Sequence, residues 1–375
     1  MTVTVTRIRI RIRDEIEGKV TAGQTRAPIP APATATLAAY RARNRRRMLT
    51  VVVLAVMAAV ALVLDLLTGP AGLGLGQTLG ALFGGEVSRA AKVIVWDVRL
   101  PVAVMALLVG GALAMAGAEM QTVLENPLAE PFTLGVSSSA ALGAAVAIVL
   151  GISLPGLPPV WTISGNAFLF AIGVLALLQI MGRIRGEGPQ SLILLGIALN
   201  FTAAALLSLL QFVASADALQ QLVFWTMGSL ASARWPGIAM LAVLLALTLP
   251  FAIRASWQLT ALRLGEDQAL SFGVNVTRLR RWAMVRVGLL AAGAVSMVGV
   301  IGFIGLAGPH IARMLVGEDH RYFLPASLLT GAVLMSVAST LSKTVVPGVL
   351  LPVGLVTSLI GLPVFFWLIL RGRAA

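Results

Sequence analysis

Apolar residues run in long blocks along this chain, not at alternate positions and not on one helical face. Each block is about 20 residues, the length a helix needs to cross a bilayer. Each ends at a charged, glycine-rich or proline-containing stretch. The blocks predict spans at about 49–67, 100–122, 133–152, 161–182, 191–213 and 235–253, two more within 282–315, then 323–343 and 352–370. The expected fold class is therefore an all-α integral membrane protein with ten transmembrane helices. Residues 69–98 suit an outer loop ending at Trp96-Asp97, with the indole at headgroup level. Residues 214–233 read as an amphipathic helix lying outside, with Asp217 near its N-terminus.

Small residues recur every fourth position in two spans: Gly110, Ala114 and Ala118, then Ser139, Gly143, Ala147 and Gly151. Such stripes let helices approach closely. Glu119 lies one turn from the end of its span and must face protein or water. Asp65 lies near the outer end of the first span, within reach of the interface. Between the second and third spans comes Glu125-Asn126-Pro127-Leu128-Ala129-Glu130-Pro131. Two prolines four residues apart cannot share a regular helix. The break is either a tight loop or irregular backbone along a polar route.

Residues 254–281 form the longest polar stretch among the spans. They predict two short helices at an angle. Gly265 stops the first; Glu266 and Asp267 start the second, complementing its dipole; Gly273 ends it.

Composition excludes several classes. The chain is 58% hydrophobic and 11% charged, unlike a soluble domain. It has no cysteine and only His310 and His320, so a structural zinc site is excluded. His310 is expected to be packed and hydrogen-bonded, not an iron ligand. The net charge of +13 does not indicate nucleic-acid binding. The outer segments hold only Arg89, Lys92, Arg99, Arg234 and Lys343, the bias of the positive-inside rule. Both termini are accordingly expected in the cytoplasm. Residues 1–48 read as a basic, disordered cytoplasmic tail preceding a permease domain at 49–373. In the tail, arginines alternate with isoleucines over Arg7–Arg13, a linker runs from Ala27 to Ala33, and Arg41, Arg43, Arg45, Arg46 and Arg47 can meet anionic lipid headgroups.

Three motif blocks carry a resemblance. The first is Arg99-Leu100-Pro101, Met120-Gln121, Asn126 through Pro131 and Leu134-Gly135-Val136-Ser137-Ser138. The second is Leu264-Gly265-Glu266, Gly273-Val274, Ile301 through Leu306, Gly308 through Arg313, Asp319-His320-Arg321 and Leu324-Pro325. The third is Leu351-Pro352-Val353-Gly354 with Gly361-Leu362-Pro363. Over about residues 96–371 the chain resembles the iron-chelate and vitamin B12 permeases of ABC importers. The resemblance implies a ferric-siderophore or related chelate as cargo, with vitamin B12 or haem as the alternative.

It also implies two ATP-binding subunits, an extracytoplasmic substrate-binding protein, and a second permease copy or paralogue. Leu264, Gly265, Glu266, Asp267, Ala269, Leu270 and Gly273 match the element that docks on the ATPase. Asn126, Pro127 and Leu128 match a cytoplasmic gate, and the segment at Gln190, Ser191 and Asn200 a second one. Arg99 and Lys343 match basic contacts to the binding protein. The family's motifs often carry a second arginine where Val102 stands and an acid where Leu350 stands, so the binding-protein contact set is reduced here. No cofactor is implied.

No G-x-x-x-x-G-K-[ST] occurs, so ATP hydrolysis belongs to a partner. An ion-driven secondary transporter would need acidic relays at mid-membrane, and the one candidate, Glu119, lies off-centre. A membrane-embedded enzyme would need convergent catalytic groups, and none is legible.

Overall fold

The computed structural model describes residues 33–69, 72–185, 188–346 and 348–371. The chain divides into two compact units, Met1–Met48 and Leu49–Ala375. The elements among the described residues are helical, with no strand. In order they are α1 (Ala33–Leu67), α2 (Leu75–Phe83), α3 (Arg89–Val93), α4 (Leu100–Val123), α5 (Val136–Leu150), α6 (Thr162–Arg185) and α7 (Pro189–Val213). There follow α8 (Ala216–Thr226), α9 (Trp235–Leu262), α10 (Glu266–Ser271), α11 (Val276–Val298), α12 (Ile304–Val316), α13 (His320–Thr344) and α14 (Val353–Arg371). Seven helices among the described residues are long and apolar enough to cross a membrane, and three shorter apolar helices, α5, α12 and the Val353–Pro363 part of α14, accompany them.

The helix α4 is the hub. It is apolar on every side, so it is buried on every side; from Val109 to Val123 every residue is buried. With lipid as apolar as leucine, close van der Waals packing replaces hydrophobic collapse. The stripes expected to serve packing do so. A methyl group at Gly110 would overlap the carbonyl oxygen of Gly331 on α13, and one at Gly143 that of Asn166 on α6. Gly117, outside the predicted stripe, lies as close to Gly305 on α12.

The short helices follow from irregular backbone ahead of them. The stretch 299–303 begins against Trp225 and Gly228, and reaches Gly361 through Phe303 before α12 starts. Similarly, 124–135 leaves the end of α4 and reaches Asn200 before α5 starts. Asn200 lies eleven residues into α7, about 16 Å along its axis at 1.5 Å per residue. The break is a run of turns whose far end packs against α7.

Several expectations need correction. The first helix begins at Ala33, not near residue 49, so the Arg41–Arg47 cluster is helical. The Arg/Ile alternation lies outside the described residues. The stretch 69–98 is not simply a loop: it holds α2 and α3, then a π-helical turn Ile94–Arg99 that runs straight into α4. The indole Nε1 of Trp96 donates to the Ala81 carbonyl at 3.0 Å, fixing this cap. The polar stretch after the sixth predicted span has one short helix, not two. Its expected first piece is the end of α9, which continues to Leu262 because nothing before Gly265 breaks it.

Candidate functional site

The C-terminal ends of α4, α9 and α12 and the N-terminal ends of α11 and α13 carry most of the described ion pairs, and the two segments singled out by the sequence meet there. The α4 helix stops where Glu125 takes a positive φ of 49° ahead of Pro127. The break is then knitted by itself. Asn126 donates its N–H to the Gln121 carbonyl at 3.1 Å. Its Oδ1 accepts the N–H of Leu128 at 2.9 Å, an Asx turn. Pro127 and Leu128 are exposed, while Ala129, Glu130 and Pro131 turn inward. The Glu130 carboxylate accepts a hydrogen bond from the backbone of Phe303, at the start of α12.

At the far end of the break, Gly135 rests against the backbone of Asn200 at 3.0 Å measured from an added Cβ position. Ser138 Oγ donates to Asn200 Oδ1 at 2.6 Å. The structure therefore brings Asn200 to the break. Gln190 and Ser191 occupy the first turn of α7, with Gln190 exposed. Among the described residues no hydrogen bond joins them to Asn126, Pro127 or Leu128.

The second segment protrudes. Gly265, at φ 113°, and Gly273, at φ 79°, bracket α10 in backbone conformations that favour glycine. Leu264, Leu270 and Phe272 are 58%, 53% and 59% exposed around it, an apolar surface left uncovered by the described residues. Ala269 is fully buried beneath. Glu266 turns back toward the bundle and Asp267 does not.

What lies behind both segments was not singled out from sequence. Arg280 on α11 donates through Nε to the Val123 carbonyl at 2.9 Å and through Nη2 to Glu266 at 3.1 Å, with Glu125 at 3.7 Å. Arg263 donates to both oxygens of Glu318, at 3.1 and 2.5 Å. Arg313 lies 3.4 Å from Glu318 and donates to Gln121 at 3.2 Å. The Arg263 hydrogen bond, with both nearby guanidiniums, holds the Glu318 carboxyl below its ordinary range. His320, not His310, is the packed histidine. It bridges Thr122 at 2.8 Å and Thr260 at 3.3 Å. His310 is half-buried and has no hydrogen bond among the described residues.

Deeper in the bundle Glu119 pairs with Arg286, whose Nε lies 3.0 and 2.9 Å from the two carboxylate oxygens while Nη2 also donates to it. A charge inside an apolar run was the available signal for Arg286.

Arg99 and Lys343 sit at the opposite end and are buried. Arg99 Nη1 donates to the Leu67 carbonyl at 3.2 Å and to Thr78 at 3.3 Å. Lys343 Nζ pairs with Asp65 at 2.7 Å. Asp65, expected to reach the interface, is fully buried, because Lys343 offers it a closer counter-charge. Neither cation presents itself on the surface, so their expected role as rim contacts is corrected: both brace the α1–α4–α13 end. No group of three or more His, Cys, Asp or Glu is placed to hold a metal among the described residues.

The described ion pairs thus tie α10, the end of α9 and the turn before α13 to the end of α4. Residues 55–371 match the model of the FecCD transport family. The hemin transport system permease protein HmuU of Yersinia pestis is 37% identical over 313 residues, 83% of this chain and 94% of that one. The vitamin B12 import system permease protein BtuC of Klebsiella pneumoniae is 36% identical, covering 77% of this chain and 86% of its own length. A solved metal-chelate-type ABC transporter in an inward-facing conformation superposes with a TM-score of 0.76 at 31% identity, over 86% of this chain and 98% of that one. Matched over residues 55–371, this chain belongs to the FecCD transport family of ABC transporter permeases.

Proposed function

We propose that this protein is the permease subunit of an ATP-driven importer that carries a ferric siderophore or related iron chelate across the cytoplasmic membrane. It crosses ten times with both termini cytoplasmic: seven long helices and three short ones supply the crossings. The observation that carries the reading is α10. A short helix held between two glycines, with Leu264, Leu270 and Phe272 exposed around it, is a docking knob for another protein. In this reading two ATP-binding subunits grip it, one on each of two permease copies, and their closure moves the spans. The break at Asn126, Pro127 and Leu128 is a gate on the same side, with Asn200 fixing its far end. Gln190 and Ser191 line the second gate segment. An extracytoplasmic binding protein delivers the cargo at the other end, through contacts other than Arg99 and Lys343.

The test is reconstitution with the ATPase in sealed vesicles, following uptake of ⁵⁵Fe-labelled ferric hydroxamate. Uptake requires ATP, and Glu266→Arg combined with Gly265→Pro abolishes it. Nucleotide-independent uptake by this chain alone overturns the reading. The names of the hemin and B12 relatives favour a second cargo reading. Competition by haemin or cyanocobalamin against the iron chelate decides between them.

A further inference from the structure

We infer that Arg280 is the strut joining the protruding helix α10 to the break at 124–131. The inference rests on the reading of α10 as the coupling element and deepens it by naming the link. One guanidinium serves three groups on two segments. Its Nε caps the Val123 carbonyl at 2.9 Å, and its Nη2 meets Glu266 at 3.1 Å and lies 3.7 Å from Glu125. The Arg280 side chain is 4% exposed, while Glu125 and Glu266 are 41% and 43% exposed. The cation is therefore fixed in the bundle and both acids reach in from the surface to it.

Helix ending alone accounts for part of this. The last carbonyls of α4 lack partners within the helix, and a cation suits its C-terminal end. That need is met by the Val123 contact. It does not explain why the counter-charge comes from α10, a separate surface helix that exposes Asp267, Gln268, Leu270 and Ser271 to its surroundings. Glu125 is also present, at the start of the break. A planar, always-charged guanidinium with several donors in a fixed fork can hold both acids at once, which an ammonium does less rigidly. Displacing α10 must therefore pull on Arg280, and through it on Val123, the last residue of α4, and Glu125, within the break.

A second route reaches the same place. Arg263 follows the last residue of α9, two residues before Gly265. It is joined to Glu318, Glu318 to Arg313, and Arg313 to Gln121 near the end of α4. The two routes flank α10 and converge on residues 121–125.

The experiment is amide hydrogen exchange on the purified full-length permease in detergent, with no ATPase and no cargo. Glu266→Gln removes one arm of the strut at a half-exposed position that folding tolerates. Exchange in 124–131 becomes about three- to five-fold faster, the range of a partly exposed ion pair expressed as local opening. Asp267→Asn, on the same helix but with no ion pair among the described residues, leaves 124–131 unchanged. On an Arg280→Gln background, adding Glu266→Gln produces no further change. Equal effects of the Glu266 and Asp267 variants, no effect of either, or an undiminished Glu266 effect without Arg280 would overturn the inference. Should Arg280→Gln not fold, the comparison of the two acids alone still decides. Failure here is separable from failure of the coupling reading. If Glu266→Gln loosens the break while the Gly265/Glu266 double variant still transports, the strut stands and the coupling role falls.

Discussion

Replacing Arg286 with methionine leaves Glu119 alone in the centre of the bundle. The carboxylate is 1% exposed and the guanidinium side chain 7%, and all their mutual hydrogen bonds are lost together. Removing one partner of such a pair costs about 3–5 kcal/mol, because the survivor keeps its desolvation without its counter-charge. Removing both, as Glu119→Met with Arg286→Met, costs far less, since the two helices then meet through apolar side chains of similar length. At about 2 °C per kcal/mol for a chain of this size, the single variant melts about 6–10 °C lower. The double variant recovers at least half of that loss. The assay is the temperature at which half the protein leaves the monodisperse peak on size-exclusion chromatography after heating in detergent. A double variant no more stable than the single, or a single variant within about 1 °C of the parent, would refute the reasoning. The same double variant tests the ion-driven alternative. A pair that only braces α4 against α11 can be replaced with uptake retained, whereas a Glu119 relay cannot.

Other expectations are more compact. Gly117→Ala forces a methyl into the Gly305 carbonyl and should lower the thermal midpoint by more than Gly173→Ala, where an added Cβ meets open space. Lys343→Gln leaves Asp65 buried without its cation and should destabilise by about 3 kcal/mol, measured by the same heating assay, with Asp65→Asn added to it restoring part of the loss. Glu318 has a folded-state pKa below the ordinary 4.5, so its contribution is present above that value and fades as the pH falls through the lower one. The parent should therefore lose stability as the pH falls below 4.5 more steeply than Glu318→Gln, read as the slope of the midpoint against pH; equal slopes would remove the Arg263–Glu318 link from the account.

How much was legible is best judged residue by residue. The break at Glu125–Pro131 and the second piece of the knob expected at 259–273 could be found from sequence because local rules produce them. Proline interrupts a helix wherever it falls, and glycine marks a positive φ before any neighbour is known. The stripe at Gly110, Ala114 and Ala118 was legible as a packing face for the same reason. The partner, Gly331, was not, since spacing along one helix says nothing about which helix lies across from it. Arg99 and Lys343 read as outer cations and proved to be internal braces. Their position in the chain put both at one end of the bundle but did not give the direction of the side chain.

By itself, then, the sequence determined the apolar blocks, the polar breaks between them and the sign of charge at each end, because hydropathy and backbone stereochemistry act over a few residues. Only the tertiary structure decided which charge meets which. Glu119 is 167 residues from Arg286 and Asp65 is 278 from Lys343, and Arg280 reaches Val123 across 157. In a low-dielectric interior a buried charge is tolerable only beside its opposite. That pairing is set by the register of packed helices, which close glycine contacts fix and no local pattern of residues encodes.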